Sequence, residues 1–340
     1  MELKCLCDNN CIISKKNIEN GLKSISPCPR CVNISLNRHK AIKDQLCLPS
    51  INNDFGRCIC GKRPLDVVMA HVLKVMNDFG YDIDTFKLHD CPVPLPNPFK
   101  IDNNPYSPNN TIHLEKNSLI LLYPDFNNEL AEKIISEVDE VKSILKGSSR
   151  DLVGIINTED HLKTYEVLSG CDFRCEIIDS PKGRIAINKE QSKVHLEFSP
   201  SIENKILKLE SYFKAKHLTK DEVSKMTVLD ATCGCGALGI FSLLFGFKTV
   251  VFNDINKYAT KMTEINLESN GFRVESIENP NENNLIGIGN KFKVYNLKIE
   301  DLHNIIDVPF DICIIDTFPQ SDDEYFYNIA KTLAKEVFMI

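Results

Sequence analysis

The spacing of apolar side chains changes along the chain, and each change predicts a different element. Residues 64–80, PLDVVMAHVLKVMNDFG, repeat apolar positions at three- and four-residue intervals behind a proline, and Gly80 ends the run. That is the pattern of a helix. From 118 the pattern shortens to SLILLYP, a strand, followed by a helical NNELAEKIISEVDEV and a second strand, KSILKG. Four period-two segments follow between 162 and 200: LKTYEVL, CDFRCEIIDS, GRIAINKE and KVHLEFSP. Together they predict a small α+β module. Helical spacing returns in IENKILKLESYFKAKH, residues 202–217.

From 226 onward strands and helices alternate. VLDAT, TVVFND, KVYNLK, FDICIID and EVFMI read as strands, and ALGIFSLLFG, KYATKMTEINLESNG and DDEYFYNIAKTLAK as helices. This alternation predicts an α/β, Rossmann-like, doubly wound parallel sheet covered by helices. FDICIID is apolar on both faces, as central parallel strands are. The Pro- and Asn-rich CPVPLPNPFKIDNNPYSPNN, residues 91–110, excludes a regular helix and predicts a linker or extended wrap. The expected organisation is a cysteine-rich module over 1–91, a linker over 92–117, a small α+β domain over 118–200 and the doubly wound domain over 201–340.

Composition adds compartment and charge. No apolar run approaches the roughly 18 residues of a membrane span, and the start, MELKCLCDNN, lacks the apolar core of a secretory signal. The expectation is a cytoplasmic protein without a membrane partner. Fourteen cysteines then point to metal or packing rather than disulfides. The net charge of −7 is uneven: residues 1–74 carry 12 Lys/Arg against 6 Asp/Glu, so the remainder is near −13. A basic front on an acidic body suits either a polyanion-binding module or a solvated surface around a small cysteine-rich fold.

Nine of the cysteines, Cys5, Cys7, Cys11, Cys28, Cys31, Cys47, Cys58, Cys60 and Cys91, fall in the first 91 residues. Short chelating pairs let one turn present two thiolates to one ion, and two pairs complete a tetrahedral zinc site. Cys28/Cys31 can pair with Cys5/Cys7 (or Cys11), or with Cys58/Cys60. An iron–sulfur cluster and buried reduced thiols are the other readings.

The chemistry of the second half begins at DATCGCGALG, residues 230–239. Gly234, Gly236 and Gly239 follow G-x-G-x-x-G after a strand and before a helix, which exposes backbone N–H groups to a ligand. That spacing suits a dinucleotide or a nucleoside. Asp254 ends the next strand, where a carboxylate accepts ribose hydroxyls. Asp230, ahead of the loop, suits a ligand with an ammonium group, so the combination favours a nucleoside sulfonium, S-adenosylmethionine, and a class I methyltransferase. Thr232 and Cys233 of the loop, and Ile255 after Asp254, join the candidate cofactor residues. Asp316, Phe318 and Pro319 in D-T-F-P end the fourth strand at the edge where substrates of open α/β sheets bind. They are the candidate catalytic residues: a polar group for a target nitrogen and a ring to stack on a flat acceptor. Cys233 and Cys235 lack a convincing second pair and read as small apolar loop fillers.

With those motifs in view, the segments ELAEKIISEVDEVKSILKG, YEVLSGCDFRCEIIDSPKGRIAINKEQSKVHLEFSPSIENKIL, VLDATCGCGALGI and FNDINKYATKMTEINLESN resemble the archaeal and eukaryotic tRNA guanine-N1 methyltransferases, over roughly residues 118–340. The wybutosine aminocarboxypropyl transferases belong to the same family, and N-D-I-N and D-x-F-P also resemble the tRNA guanine-N2 dimethyltransferases. The resemblance implies S-adenosylmethionine as cofactor and RNA, tRNA in particular, as substrate. It places the glycine loop and Asp230 along the cofactor, Asp254 at the ribose, and Glu300 and Asp301 near the adenine. The chain departs from the family at two positions: Ser201 replaces the arginine that assists the target base, and Asp316 stands where an asparagine is expected. The cysteine-rich front is a further departure. The alternatives are a methyltransferase for a protein side chain or an anaerobe-specific small cofactor, and a non-catalytic relative that retains the cofactor site.

Overall fold

The computed structural model describes residues 11–32, 34, 36–37, 39–82, 86–88, 92–100, 112–155, 162–197, 201–278, 283–318 and 321–340. Cys5, Cys7, Cys91 and Pro319, and residues 198–200 at the end of KVHLEFSP, lie outside them. The chain divides into two compact units, Lys4–Val153 with Thr164–Glu176, and Gly154–Lys163 with Ile177–Ile340.

In the first unit, helix α1 (Ile18–Ile25) precedes a short strand β1 (Arg63–Pro64) and helix α2 (Leu65–Asp78). Nearly every side chain of α2 from Leu65 to Met76 is buried, so this helix is covered on almost all sides rather than along one stripe. The stretch expected as a linker, 92–117, contains strands β2 (Val93–Pro96), β3 (Phe99–Lys100) and β4 (His113–Leu114). β1 and β4 pair antiparallel. Strand β5 (Leu119–Tyr123), helix α3 (Asn128–Glu137), strand β6 (Val141–Lys146) and strand β7 (Glu166–Gly170) follow, with sheet order β2-β5-β6-β7. β5 and β6 run parallel across the α3 crossover. Ile25, Ile51, Leu73, Leu121 and Ile144 share one core, so the cysteine-rich segment packs with residues 119–146 instead of standing apart. A buried ion pair, with Arg63 Nε 2.9 Å from Glu140 Oε1, fixes β1 beside the start of β6.

Strand β8 (Phe173–Ile178) carries the boundary between the units. The second unit continues with β9 (Ile185–Glu190), α4 (Ser201–Ala215), α5 (Lys220–Val223), β10 (Thr227–Asp230), α6 (Ala237–Phe245), β11 (Thr249–Asn253), α7 (Lys257–Ser269), β12 (Glu275–Ser276), β13 (Leu285–Gly289), β14 (Phe292–Tyr295), β15 (Phe310–Ile315), α8 (Asp323–Leu333) and β16 (Ala334–Met339). Its sheet has the order β12-β13-β14-β11-β10-β15-β16. The five strands β14-β11-β10-β15-β16 are parallel, the expected Rossmann-like arrangement. Strand order reverses at β10, and ligands of open α/β sheets bind outside the carboxyl ends of strands at such a point.

The sequence reading needs two corrections here. The hairpin β12–β13 extends the β14 edge antiparallel; the short Ser276 end and the glycine-rich LIGIG carry no clean alternation. KVHLEFSP is not a strand in its described part, 193–197, because no neighbour supplies a ladder for it. β9 has β8 as its strand neighbour on one side, and residues at and just beyond the end of helix α7 bond its backbone on the other. Asn266 accepts from Asn188 N–H at 2.7 Å and donates to its carbonyl at 3.0 Å, and Asn270 does the same at Ala186 at 3.0 and 2.8 Å. Buried backbone polar groups are thereby satisfied by side-chain amides.

Candidate functional site

The end of β10 opens into the glycine loop. Asp230 is fully buried, its Oδ2 accepting the Gly239 N–H at 2.8 Å while Oδ1 has no partner among the described residues. Burial pushes its carboxyl up to about 8, and the nearby Asp316 and Asp254 push the same way. A buried carboxylate oxygen without a partner is costly, and an ammonium group placed there would relieve it. The three glycines have different tasks. A Cβ on Gly239 would sit 2.2 Å from Phe252 Cε1, so this residue allows α6 to lie against β11. Gly236, at φ +86°, caps α6 and faces Thr263. Gly234, at φ +52°, has nothing within 4 Å of where a Cβ would stand, so a ligand can approach its backbone.

Asp254 lies at the carboxyl end of β11. Its Oδ2 accepts the Gly234 N–H at 2.8 Å and its Oδ1 accepts the Asn256 N–H at 2.8 Å. Burial in the cleft raises its carboxyl, and those two N–H donors oppose the rise. Asn256 caps α7 and Ile255 is exposed beside it. Glu300 and Asp301 sit on an exposed 3-10 turn, Ile299–Asn304, after β14. The Glu300 carboxylate accepts from the Tyr325 hydroxyl.

Asp316 follows β15, next to β10 in the sheet. Its N–H donates to the Thr232 hydroxyl at 2.9 Å, so the glycine loop anchors the candidate catalytic segment directly. Burial raises the Asp316 carboxyl, and the Lys205 ammonium opposes the rise. Lys205 Nζ is 2.8 Å from Asp316 Oδ2 and 2.6 Å from Glu197 Oε1. The Phe318 ring meets the His195 ring edge-on, centroids 5.5 Å apart at 85°. Burial lowers the His195 imidazole from its ordinary value, with Glu197 opposing, and its Nδ1 has no partner among the described residues. Lys205, Glu197 and His195 escaped the sequence reading. The signal available for Lys205 was its place four residues after Ser201 on a helical pattern.

Cys233 is buried, its thiol driven up by burial, and it packs with Cys235 in the core beside α6. A different set of cysteines converges. Cys28 Sγ lies 3.7 Å from Cys31 Sγ and 3.7 Å from Cys58 Sγ, and Cys31 Sγ lies 3.6 Å from Cys60 Sγ. All four sulfurs fall within 4.8 Å of one another. Disulfide sulfurs stand about 2.05 Å apart, whereas ligands about 2.3 Å from a tetrahedral zinc stand about 3.8 Å apart. Backbone N–H groups of Cys28 and Arg30 point at Cys31 Sγ and Cys28 Sγ, at 3.2 and 3.4 Å. Of the pairings open in the sequence, Cys28/Cys31 with Cys58/Cys60 is the one brought together. Cys11 is buried elsewhere, with Lys142 Nζ 2.8 Å from its sulfur.

Among the described residues no helix is long and apolar enough to cross a membrane. Residues 206–295 match the family model described as ribosomal protein L11 methyltransferase (PrmA). No curated protein sequence matches the chain. Among solved structures, the chain is similar to Trm5b from Pyrococcus abyssi, at 17% identity over 64% of this chain and 55% of that one, with a TM-score of 0.37. It is similar to TYW2 from P. horikoshii in complex with MeSAdo at 20% identity over 64% and 65%, with a TM-score of 0.36. The tRNA m1G37 methyltransferase of M. jannaschii gives 17% identity over 64% and 56%, with a TM-score of 0.34. The match spans 55% of the Pyrococcus abyssi chain's length, little more than half.

Proposed function

We propose that the chain is a cytoplasmic S-adenosylmethionine-dependent methyltransferase acting on RNA, with a tRNA base as acceptor. The observation that carries this reading is the grouping of Asp230, Asp254 and Asp316 at three strand ends around Gly234, whose Cα faces open space. The unpartnered Asp230 Oδ1 suits the cofactor's ammonium, the Gly234 backbone its close approach, and Asp254 its ribose. Thr232, Cys233, Gly236 and Ile255 frame the same cleft. Glu300 and Asp301, on their exposed turn, are assigned to the adenine side.

Bound S-adenosylmethionine supplies an electrophilic methyl group on a sulfonium. The chain's part is positioning and proton removal. Asp316 accepts the proton of the acceptor nitrogen as the carbon–nitrogen bond forms and the carbon–sulfur bond breaks. Phe318, held edge-on by His195, stacks on the acceptor ring, and Pro319, next to it in the sequence, is assigned with it. A base reaches such a pocket from a single strand or by flipping out. The resemblance over 118–340 and the basic charge of residues 1–74 support RNA. Cys28, Cys31, Cys58 and Cys60 are assigned to a structural zinc ion, the four-sulfur geometry leaving no open position for catalysis.

A protein side chain is the second reading, favoured by the ribosomal-protein methyltransferase family model that matches residues 206–295. Binding to total tRNA separates the two. The RNA reading expects binding at low salt that weakens steeply as salt rises, and absence of either feature contradicts it.

A further inference from the structure

Ser201 opens α4, and Lys205 stands one helical turn further along it. The Lys205 ammonium lies between two carboxylates contributed by different segments, Glu197 ahead of α4 and Asp316 after β15, at 2.6 and 2.8 Å. Lys205 and Asp316 are each 21% exposed and Glu197 28%, so the bridge is partly withdrawn from water. Such a bridge cannot be dismissed as a solvated surface pair. Asp316 faces Glu197, and Asp230 at the end of β10 feels Asp316 in turn.

We propose that Lys205 is the positioning residue of the acceptor site: its ammonium pins Asp316 Oδ2 and so fixes the carboxylate that receives the acceptor's proton. The inference rests on the role given to Asp316 above. Two attachments then define that residue, the Thr232 hydroxyl on its backbone N–H at 2.9 Å and Lys205 on one carboxylate oxygen. Oδ1 is left as the atom available to an acceptor. The cation also opposes the protonation that burial and Glu197 favour, since a like charge and desolvation both favour the neutral acid. A neutral Asp316 cannot take up a proton from the acceptor.

This arrangement specifies the class of acceptor. A nitrogen that carries N–H and must lose it during transfer, as in a lactam-type ring N–H or an amide, needs an ionised carboxylate beside it. A ring nitrogen with a free lone pair needs none. The position of Lys205 also explains how a chain with serine at 201 keeps a cation at this edge: it enters from the next turn of the same helix and acts on the acid rather than on the base.

The test is a carboxyl 13C NMR titration of the full chain, with the Asp316 signal assigned by its loss in Asp316→Asn. The charged and titratable groups in question are Lys205 on α4, Glu197 ahead of it, Asp230 on β10, and His195, which burial, Lys189 and Lys205 lower and Glu197 raises. Lys205→Met is expected to move the Asp316 midpoint up by at least one pH unit, and Lys205→Arg to return it to within a few tenths of wild type. Glu197→Gln, which keeps the ammonium on Asp316 alone, is expected to lower the midpoint and decides the matter should Lys205→Met fail to fold. Unchanged midpoints in Lys205→Met, or in Glu197→Gln, overturn the inference. Single-turnover methyl transfer at saturating S-adenosylmethionine adds a kinetic readout: the acid limb of the pH profile moves up in Lys205→Met. A loss of rate that is uniform with pH, or a higher acceptor KM with an unmoved limb, contradicts the positioning role. A wild-type chain that transfers no methyl group sinks the proposed function while leaving the carboxyl titration to decide Lys205.

Discussion

The Asp254 carboxylate holds the Gly234 amide at 2.8 Å, so the acid that ends β11 shapes the loop that follows β10. One residue therefore orders the glycine loop and presents a carboxylate to the same cleft. Asp254→Ala is expected to weaken S-adenosylmethionine binding at least tenfold, about 1.4 kcal/mol, by calorimetry. Asp254→Asn, which can still accept the Gly234 N–H, is expected to fall between wild type and alanine. Binding that is equal in all three proteins contradicts the role.

Two glycines in the same motif should fail in different ways. Gly239→Ala forces a methyl group 2.2 Å from the Phe252 ring, and overpacking of that kind costs about 1–3 kcal/mol, visible as a lower Tm. Gly234→Ala meets nothing within 4 Å. Its cost in the left-handed region is about 1–2 kcal/mol, but its methyl group would occupy the approach to the loop backbone. The Gly234 variant is expected to lose more cofactor affinity than the Gly239 variant among molecules that remain folded.

Asp230 makes the stability of the ligand-free protein depend on pH. Its carboxyl is pushed up to about 8 in the folded chain, against about 3.9 when unfolded. Its contribution is therefore fully present below about pH 4 and is lost as pH rises towards 8. Asp230→Asn is expected to flatten the decline of Tm between pH 5 and 8 while weakening S-adenosylmethionine binding. A decline identical to wild type's shows that burial of Asp230 is not its source.

The four-cysteine cluster predicts about one zinc per chain by elemental analysis of the purified protein. Binding free energy at a structural zinc site is folding free energy, so a strong chelator or Cys31→Ser should lower Tm in the first unit. Neither zinc nor iron in the protein, or a Tm indifferent to chelation, removes the metal site. Iron in place of zinc, with visible absorption, assigns a cluster instead.

Periodicity made the alternating elements from β10 to β16 legible apart from the β12–β13 hairpin, because long apolar strands and helices announce their partners. So were the acids at their ends, since a strand's last residue is visible in its own sequence. Pairings made by side chains across long separations were not. Asn266 and Asn270 on α7 read as ordinary helix-surface amides until β9 is placed against them, and Lys205 reads as a solvated lysine until Asp316 is set opposite. The cysteines illustrate the same limit: spacing nominated Cys28/Cys31 but left Cys58/Cys60 one of several partners until the turn held by Gly61 N–H to the Cys58 carbonyl, 2.8 Å, was in view. The core shared by Ile51 and Leu121 was hidden because a composition boundary at 91–110 does not report what packs across it.

The most direct measurement of the central claim is transfer of labelled methyl from S-adenosylmethionine into a native cell extract, with RNA and protein fractions counted separately and Asp316→Asn as the control. Label in RNA that depends on Asp316 is the predicted result. Label confined to protein contradicts the RNA assignment, and no transfer into any fraction contradicts the methyltransferase reading itself.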